Sequence, residues 1–218
     1  MATTNLISPL FHSHTGKTMR ILKATADNIL VASKIVRRGG LVIYPTDTVY
    51  GLGCDPRNVE AVKRLFKTKG ERKKPLPVLA SGVEHVEEIA HLSERARKIA
   101  ARFWPGPLTL VVPKKPALPD VVTCNLDSVG VRVPRHDVAL QLIRLSRGLL
   151  VGTSANKTGE KPPQTAYEAA EQLGKEVNII LDGGPTALGT PSTVVDLTSE
   201  KPKILREGPI RLKDILQI

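Results

Sequence analysis

Residues 41–56 read LVIYPTDTVYGLGCDP. The apolar run from Leu41 to Tyr44 is too short for a buried helix and has the length of a strand. A helix stop, Gly39-Gly40, stands before it, and Asp55-Pro56 after it reads as an N-cap with proline at the first helical position. PTDTVYGLGCD therefore joins a strand end to a helix start, where open α/β sheets place their ligand loops. Its two glycines allow close backbone approach, and its threonines offer hydroxyls suited to phosphate or carboxylate oxygens.

The same alternation continues along the chain. Residues 1–18 are polar and irregular and read as a flexible leader, so the folded part is expected to be 19–218, with Met19 opening the first strand. Asp27 is placed to cap a helix running to Arg38, with Leu30, Val31, Ile35 and Val36 as its buried face. After Asp55-Pro56, Val59, Val62, Leu65 and Phe66 repeat at helical spacing. Strands are expected at 76–80, 108–112, 129–133, 149–152, 177–181, 193–197 and 203–206, and helices near 83–91, 94–103, 137–147 and 165–173. Some strands follow one another with no helix between, which predicts one mixed sheet in an α/β domain.

Several chemistries are excluded. His14-Thr15-Gly16-Lys17-Thr18 ends like a phosphate-binding loop, but Phe11 occupies its required first glycine; Pro56 replaces the third glycine of a dinucleotide fingerprint begun by Gly51. There is no HExxH or GxSxG, and Cys54 and Cys124 belong to no metal or disulfide pattern. No protein metal site is expected, and a reducing cytoplasm fits. No apolar stretch approaches the roughly 18 residues of a membrane span, so no membrane partner is expected.

The formal charge of +11 implies attraction to anions. Much of it belongs to helix faces such as Arg95, Arg97, Lys98 and Arg102; Lys67 to Pro75 is more telling, with five cations in the eight residues before the proline. Further unusual segments are SVGVRVP, GTSANKTG, PSTVVD and LREG. In the first, Arg132 interrupts an apolar strand and needs an anion, either a bound ligand or a structural salt bridge. Hydroxyls, amides and forked arginines at successive strand ends together suggest an anion cleft.

PTDTVYGLG, the Lys/Arg loop ending in Pro75-Leu76, FWPGPLTLVV, VGVRVP, TSAN, PSTVVD and LREG occur in an order and spacing that resemble the YrdC/Sua5 family, the threonylcarbamoyl-AMP synthases, over roughly residues 20–210. The resemblance, closest to the single-domain form, implies a YrdC-like twisted mixed sheet flanked by helices around a basic concave cleft. It implies that L-threonine, bicarbonate or carbon dioxide, and ATP give threonylcarbamoyl-adenylate and pyrophosphate, with Mg2+ held mainly by the ATP phosphates. The product would feed tRNA N6-threonylcarbamoyladenosine formation by a downstream transferase machinery. By motif, Thr48, Tyr50, Arg132, Thr153 and Ser192 would bind threonine. Lys69, Arg72, Lys74, Ser128, Ser154, Asn156 and Arg206 would bind ATP, with Lys69 and Arg72 catalytic.

Two departures stand out. Lys69-Gly-Glu-Arg72 is one residue wider than the family's basic pair, and Leu79 takes a position where many bacterial members carry histidine. The same basic, hydroxyl-rich surface also suits an alternative function, a double-stranded RNA or tRNA binding module without turnover. Against that, one tryptophan, three tyrosines and three phenylalanines leave few aromatics to stack bases.

Overall fold

The computed structural model of the protein describes residues 20–70 and 74–218. The leader, Met19 and Arg72 lie outside the described residues. From the N-terminal side the elements are β1 (Ile21–Lys23), α1 (Ala26–Arg37), β2 (Val42–Tyr44), β3 (Gly51–Gly53), α2 (Val59–Thr68) and β4 (Val78–Ala80). There follow α3 (Val83–Ile89), α4 (Glu94–Phe103), β5 (Leu108–Pro113), α5 (Asp120–Thr123), β6 (Ser128–Arg132) and α6 (Asp137–Leu145). The chain closes with β7 (Leu149–Val151), β8 (Thr153–Ser154), α7 (Ala166–Leu173), β9 (Ile179–Asp182), β10 (Thr193–Asp196), β11 (Lys203–Arg206) and α8 (Leu212–Leu216).

Among the described residues there are two sheets instead of one, both mixed. One has the order β1-β9-β2-β3-β8 and the other β11-β10-β5-β6-β4-β7. They meet where the chain leaves β7 at Gly152 and enters β8. There the Val151 N–H donates to Cys54 O at 2.9 Å, the Gly152 N–H to Pro77 O at 2.9 Å, and the Tyr44 hydroxyl to Val151 O at 3.0 Å. A Cβ on Gly152 would stand 2.3 Å from Leu79 Cγ, so the crossing requires glycine. Gly53 meets the same limit, its Cβ position lying 2.6 Å from Val151 O.

A large apolar cluster that includes Ile43, Leu52, Leu65, Val78, Ile99, Leu110 and Val131 fills the middle. A second, holding Ile29, Val36, Tyr44, Leu142, Ile143 and Leu181, glues α1 and α6 to the first sheet. Each such side chain fully buried stabilises by about 1.5–3 kcal/mol.

Local signals were partly overridden. Thr25 caps α1 through a 3.3 Å bond from the Asn28 N–H, leaving Asp27 in the first turn. The buried stripe of α1 is Ile29, Ala32, Ser33 and Val36, whereas Leu30 and Val31 are exposed. Asp55-Pro56 opens a turn: Asp55 Oδ1 accepts from the Arg57 N–H at 2.9 Å, and Asn58 caps α2 three residues later.

Candidate functional site

The loop after β2 is built by one hydroxyl. Thr46 Oγ1 donates to Val49 O at 2.6 Å and accepts from the Thr48 N–H at 3.1 Å, folding residues 46–49 into a tight turn. The Thr46 and Thr48 hydroxyls lie 2.9 Å apart. Gly51 to Gly53 then forms β3 against β2, because the tyrosine ring of Tyr44 fills the space where side chains on these glycines would sit. Tyr50 turns away. Its hydroxyl donates to Gly184 O at 2.7 Å and accepts from the Gly183 N–H at 3.2 Å, and burial pushes its phenol up to about 12.

Arg132, at the end of β6, is 5% exposed. Its Nη2 donates to Asp47 Oδ1 at 2.5 Å, its Nη1 to Thr48 Oγ1 at 3.1 Å and its Nε to Gly106 O at 2.8 Å. Burial pushes the guanidinium pKa down and the Asp47 carboxylate opposes that shift. Thr48, Arg132, Thr153, Ser154, Ser192 and Arg206 line a small hollow of about 80 Å³, with Val49, Pro77 and Leu79 as apolar wall. Ser192 Oγ lies 2.8 Å from Thr109 Oγ1 and accepts from Arg206 Nη2 at 3.0 Å. The strand carrying Arg206 reaches Ser192 because Gly208 has no side chain: a Cβ there would stand 2.4 Å from the Thr193 amide nitrogen.

Beside this hollow opens a larger one of about 810 Å³, sharing Pro77, Thr109, Ser154 and Arg206 with it. Lys69, Lys74, Ser128 and Asn156 line it, as do Leu126 and Leu205, which are 51% and 52% exposed. Lys69 is 1% exposed, and its ammonium donates to Ser154 O at 2.6 Å and Asn156 O at 2.5 Å, so it also ties the loop after β8 to the end of α2. The Thr158 hydroxyl returns to Lys69 O at 2.7 Å. Asn156 donates to Lys157 O and Glu160 O at 2.7 and 2.8 Å, closing its own turn.

Ten of the residues named from sequence thus gather around two joined hollows: Thr48, Lys69, Lys74, Ser128, Arg132, Thr153, Ser154, Asn156, Ser192 and Arg206. Tyr50 belongs to neither lining and braces the 183–184 turn. Asp47, Thr109 and Pro77 were not anticipated, although a buried arginine signals that an acid lies close by, and Leu79, noted in place of the family's histidine, stands in the wall of the small hollow. No group of three or more His, Cys, Asp or Glu side chains that could hold a metal occurs among the described residues. A separate cleft of about 580 Å³, at the opposite end of β5 between His91, Arg95 and Glu200, holds none of the threonine- or ATP-site residues named from sequence.

The model of the Sua5, YciO and YrdC family, described as telomere recombination, matches residues 34–208. A threonylcarbamoyl-AMP synthase of Pyrococcus abyssi is 43% identical over 192 residues, 87% of this chain and 56% of its own length. One from Thiobacillus denitrificans is 39% identical over 168 residues, covering 76% of this chain and 89% of its own. The crystal structure of P. abyssi Sua5 complexed with L-threonine superposes with a TM-score of 0.86 at 42% identity, over 91% of this chain and 59% of that one. The chain spans little more than half the length of these P. abyssi relatives. With both hollows built inside the matched span, the chain belongs to the Sua5/YciO/YrdC family.

Proposed function

We propose that the protein is a nucleotidyltransferase that makes L-threonylcarbamoyl-adenylate and pyrophosphate from L-threonine, bicarbonate or carbon dioxide, and Mg2+-bound ATP. The observation that carries this reading is the junction of a small hollow containing Arg132 with a large one lined by Lys69, Lys74 and Arg206. An amino acid fits the first and a nucleotide triphosphate the second, and their shared rim is where the two substrates would meet.

In this reading the threonine amine adds to carbon dioxide and loses a proton to give a carbamate. A carbamate oxygen then attacks the α-phosphorus, the bond to the bridging oxygen breaks, and pyrophosphate leaves with the electron pair. The nucleophile is already an anion, so no activated serine or cysteine is required. Alignment, cations on the triphosphate and exclusion of water are required. Arg132 would take the threonine carboxylate, with the hydroxyls of Thr48 and Ser192 and the backbone of Thr153 orienting the rest, and Tyr50 bracing the loop from behind. Lys69, Arg72, Lys74 and Arg206 would neutralise the phosphates, Ser128, Ser154 and Asn156 would contact the nucleotide, and Leu126 and Leu205 would flank its base. Asp196 is the carboxylate lining the large hollow among its described residues, which suits a magnesium ion held mainly by phosphate oxygens.

The product would pass to a transferase acting on tRNA adenosine in the cytoplasm. Among the described residues no helix is long and apolar enough to cross a membrane. The RNA-binding alternative is weaker because Arg132 and Ser192, 5% and 4% exposed, lie below any surface a duplex could reach.

Pyrophosphate release from ATP, measured with L-threonine and bicarbonate present or withheld in turn, tests the proposal. Release that requires both is expected. Release indifferent to threonine, or none at all, overturns it.

A further inference from the structure

Two anion-binding hollows that share a wall face a sorting problem. A guanidinium forks onto phosphate as readily as onto carboxylate, so Arg132 would be open to occupation by the wrong ligand. The two hollows place their carboxylates differently. The large one has Asp196 in its lining with Lys69, Lys74 and Arg206, the last shared with the small hollow. In the small one Asp47 stands behind Arg132 in direct contact, 2.5 Å from Nη2, and is not itself part of the lining.

Asp47 is an expensive residue to keep there. It is 6% exposed, and its second oxygen, Oδ2, is buried without a hydrogen-bond partner. Leaving a buried acceptor unpaired costs stability, a cost set against the countercharge that the carboxylate gives the buried guanidinium. Its backbone is also pinned, since Asp47 O accepts from the Leu188 N–H at 3.1 Å. Asp47, Thr48 and Gly106 together engage one hydrogen on each nitrogen of Arg132, leaving one hydrogen on Nη1 and one on Nη2. That remainder matches the two oxygens of one carboxylate.

The geometry points to Asp47 as the residue that reserves Arg132 for an amino-acid carboxylate and keeps phosphate out of the small hollow. Repulsion from Asp47 grows in proportion to the charge of the arriving group. Asp47 cancels much of the pull that Arg132 exerts on any anion, so a phosphate gains little by entering, whereas the ammonium of an amino acid is attracted to the same carboxylate. Asp47 acts through Arg132 and is a positioning residue that sorts by charge. This rests on reading the small hollow as the amino-acid site.

Calorimetric titration of the full chain with L-threonine and with pyrophosphate tests the idea. In the wild type, saturating L-threonine should leave pyrophosphate binding unchanged, because the two occupy different hollows. Asp47→Asn keeps the size and one acceptor for Arg132 while removing the charge. It should create an additional pyrophosphate site that L-threonine displaces, tighter by about tenfold or more than any such binding to the wild type, and weaken L-threonine itself. Competition between the two ligands in the wild type, which needs no variant, overturns the proposal. So does a folded variant whose pyrophosphate isotherm matches the wild type while L-threonine still binds. Failure of the wild type to bind L-threonine overturns instead the assignment of the small hollow.

Discussion

The small hollow and the large one are both polar, yet their polar groups are held differently. In the small hollow Thr48, Arg132 and Ser192 are 2%, 5% and 4% exposed, and each is bonded to another side chain in Thr46, Asp47 and Thr109. In the large one the half-exposed Leu126 and Leu205 share the lining with Lys69, whose ammonium donates to the backbone carbonyls of Ser154 and Asn156. A small ligand with few atoms needs donors fixed before it arrives, whereas a polyanion with a flat base can be held by charge and apolar area. Discrimination is therefore expected to reside in the small hollow and catalytic electrostatics in the large one.

Lys69→Ala should produce the largest effect. It removes a cation from the large hollow and also the donor that holds Ser154 O and Asn156 O. Adenylate formation should fall by about 100-fold or more, since one preorganised donor is worth roughly 3 kcal/mol. If instead threonine affinity collapses while turnover at saturation survives, the division of labour between the hollows is wrong.

Arg132→Lys comes next, and it tests the other side of the comparison. A point-like ammonium cannot reproduce contacts to Asp47, Thr48 and Gly106 together with a forked carboxylate, so threonine affinity should drop by roughly 10- to 100-fold. ATP affinity should change little. Equal losses for both ligands in calorimetry would show that Arg132 serves the fold or the phosphates.

A smaller change is expected from replacing Leu126 and Leu205 together by serine. The lost apolar contact is worth about 1–2 kcal/mol, so KM for ATP should rise several-fold with threonine binding untouched. An unchanged KM would move the base out of the large hollow.

The smallest effect at neutral pH concerns the frame beneath the small hollow. Burial pushes the Cys54 thiol from 9.0 up to about 12 and the Tyr50 phenol from 10.0 up to about 12. Both are raised in the folded state, so their contribution is complete below the unfolded values and is lost as pH climbs from about 9 toward 12. The melting temperature should decline through that window, and Cys54→Ala should delay the onset. A flat profile would mean that this frame admits water more freely than its burial indicates.

What could be read from sequence followed the length of the local signal. The helix expected at 94–103 is found with those bounds, its Ser93 cap accepting from the Ala96 N–H at 3.1 Å. α7 falls within the helix expected at 165–173, and the structure adds a Thr165 and Glu168 capping box at its start. β3 and β8 were not read because three and two residues carry no period, and β3 lies where Gly51 and Gly53 pack against the Tyr44 ring of the paired strand. Asp55-Pro56 misled because Asn58, a cap of equal preference, lies three residues on and is the one the helix uses. In the site, motifs located the residues that line the hollows, and Arg132 announced that it needed an anion. Its partner stayed open, since β6 and the 46–49 turn are far apart in sequence and meet only through tertiary packing.

The strand bearing Arg206 has a consequence for timing. β11 is an edge strand, its four residues mostly exposed, paired with β10 across a register break between Val194 and Val195. Edge strands with few buried contacts detach at a free energy well below that of global unfolding. Since Arg206 walls both hollows, an adenylate spanning them would leave when β11 lifts, and the residence time of a water-sensitive product would be set by that strand. Hydrogen exchange would then be fast at the Ile204 and Leu205 amides in the free protein and slowed by bound product. Amides on β11 that exchange as slowly as those of β5 would place the exit elsewhere.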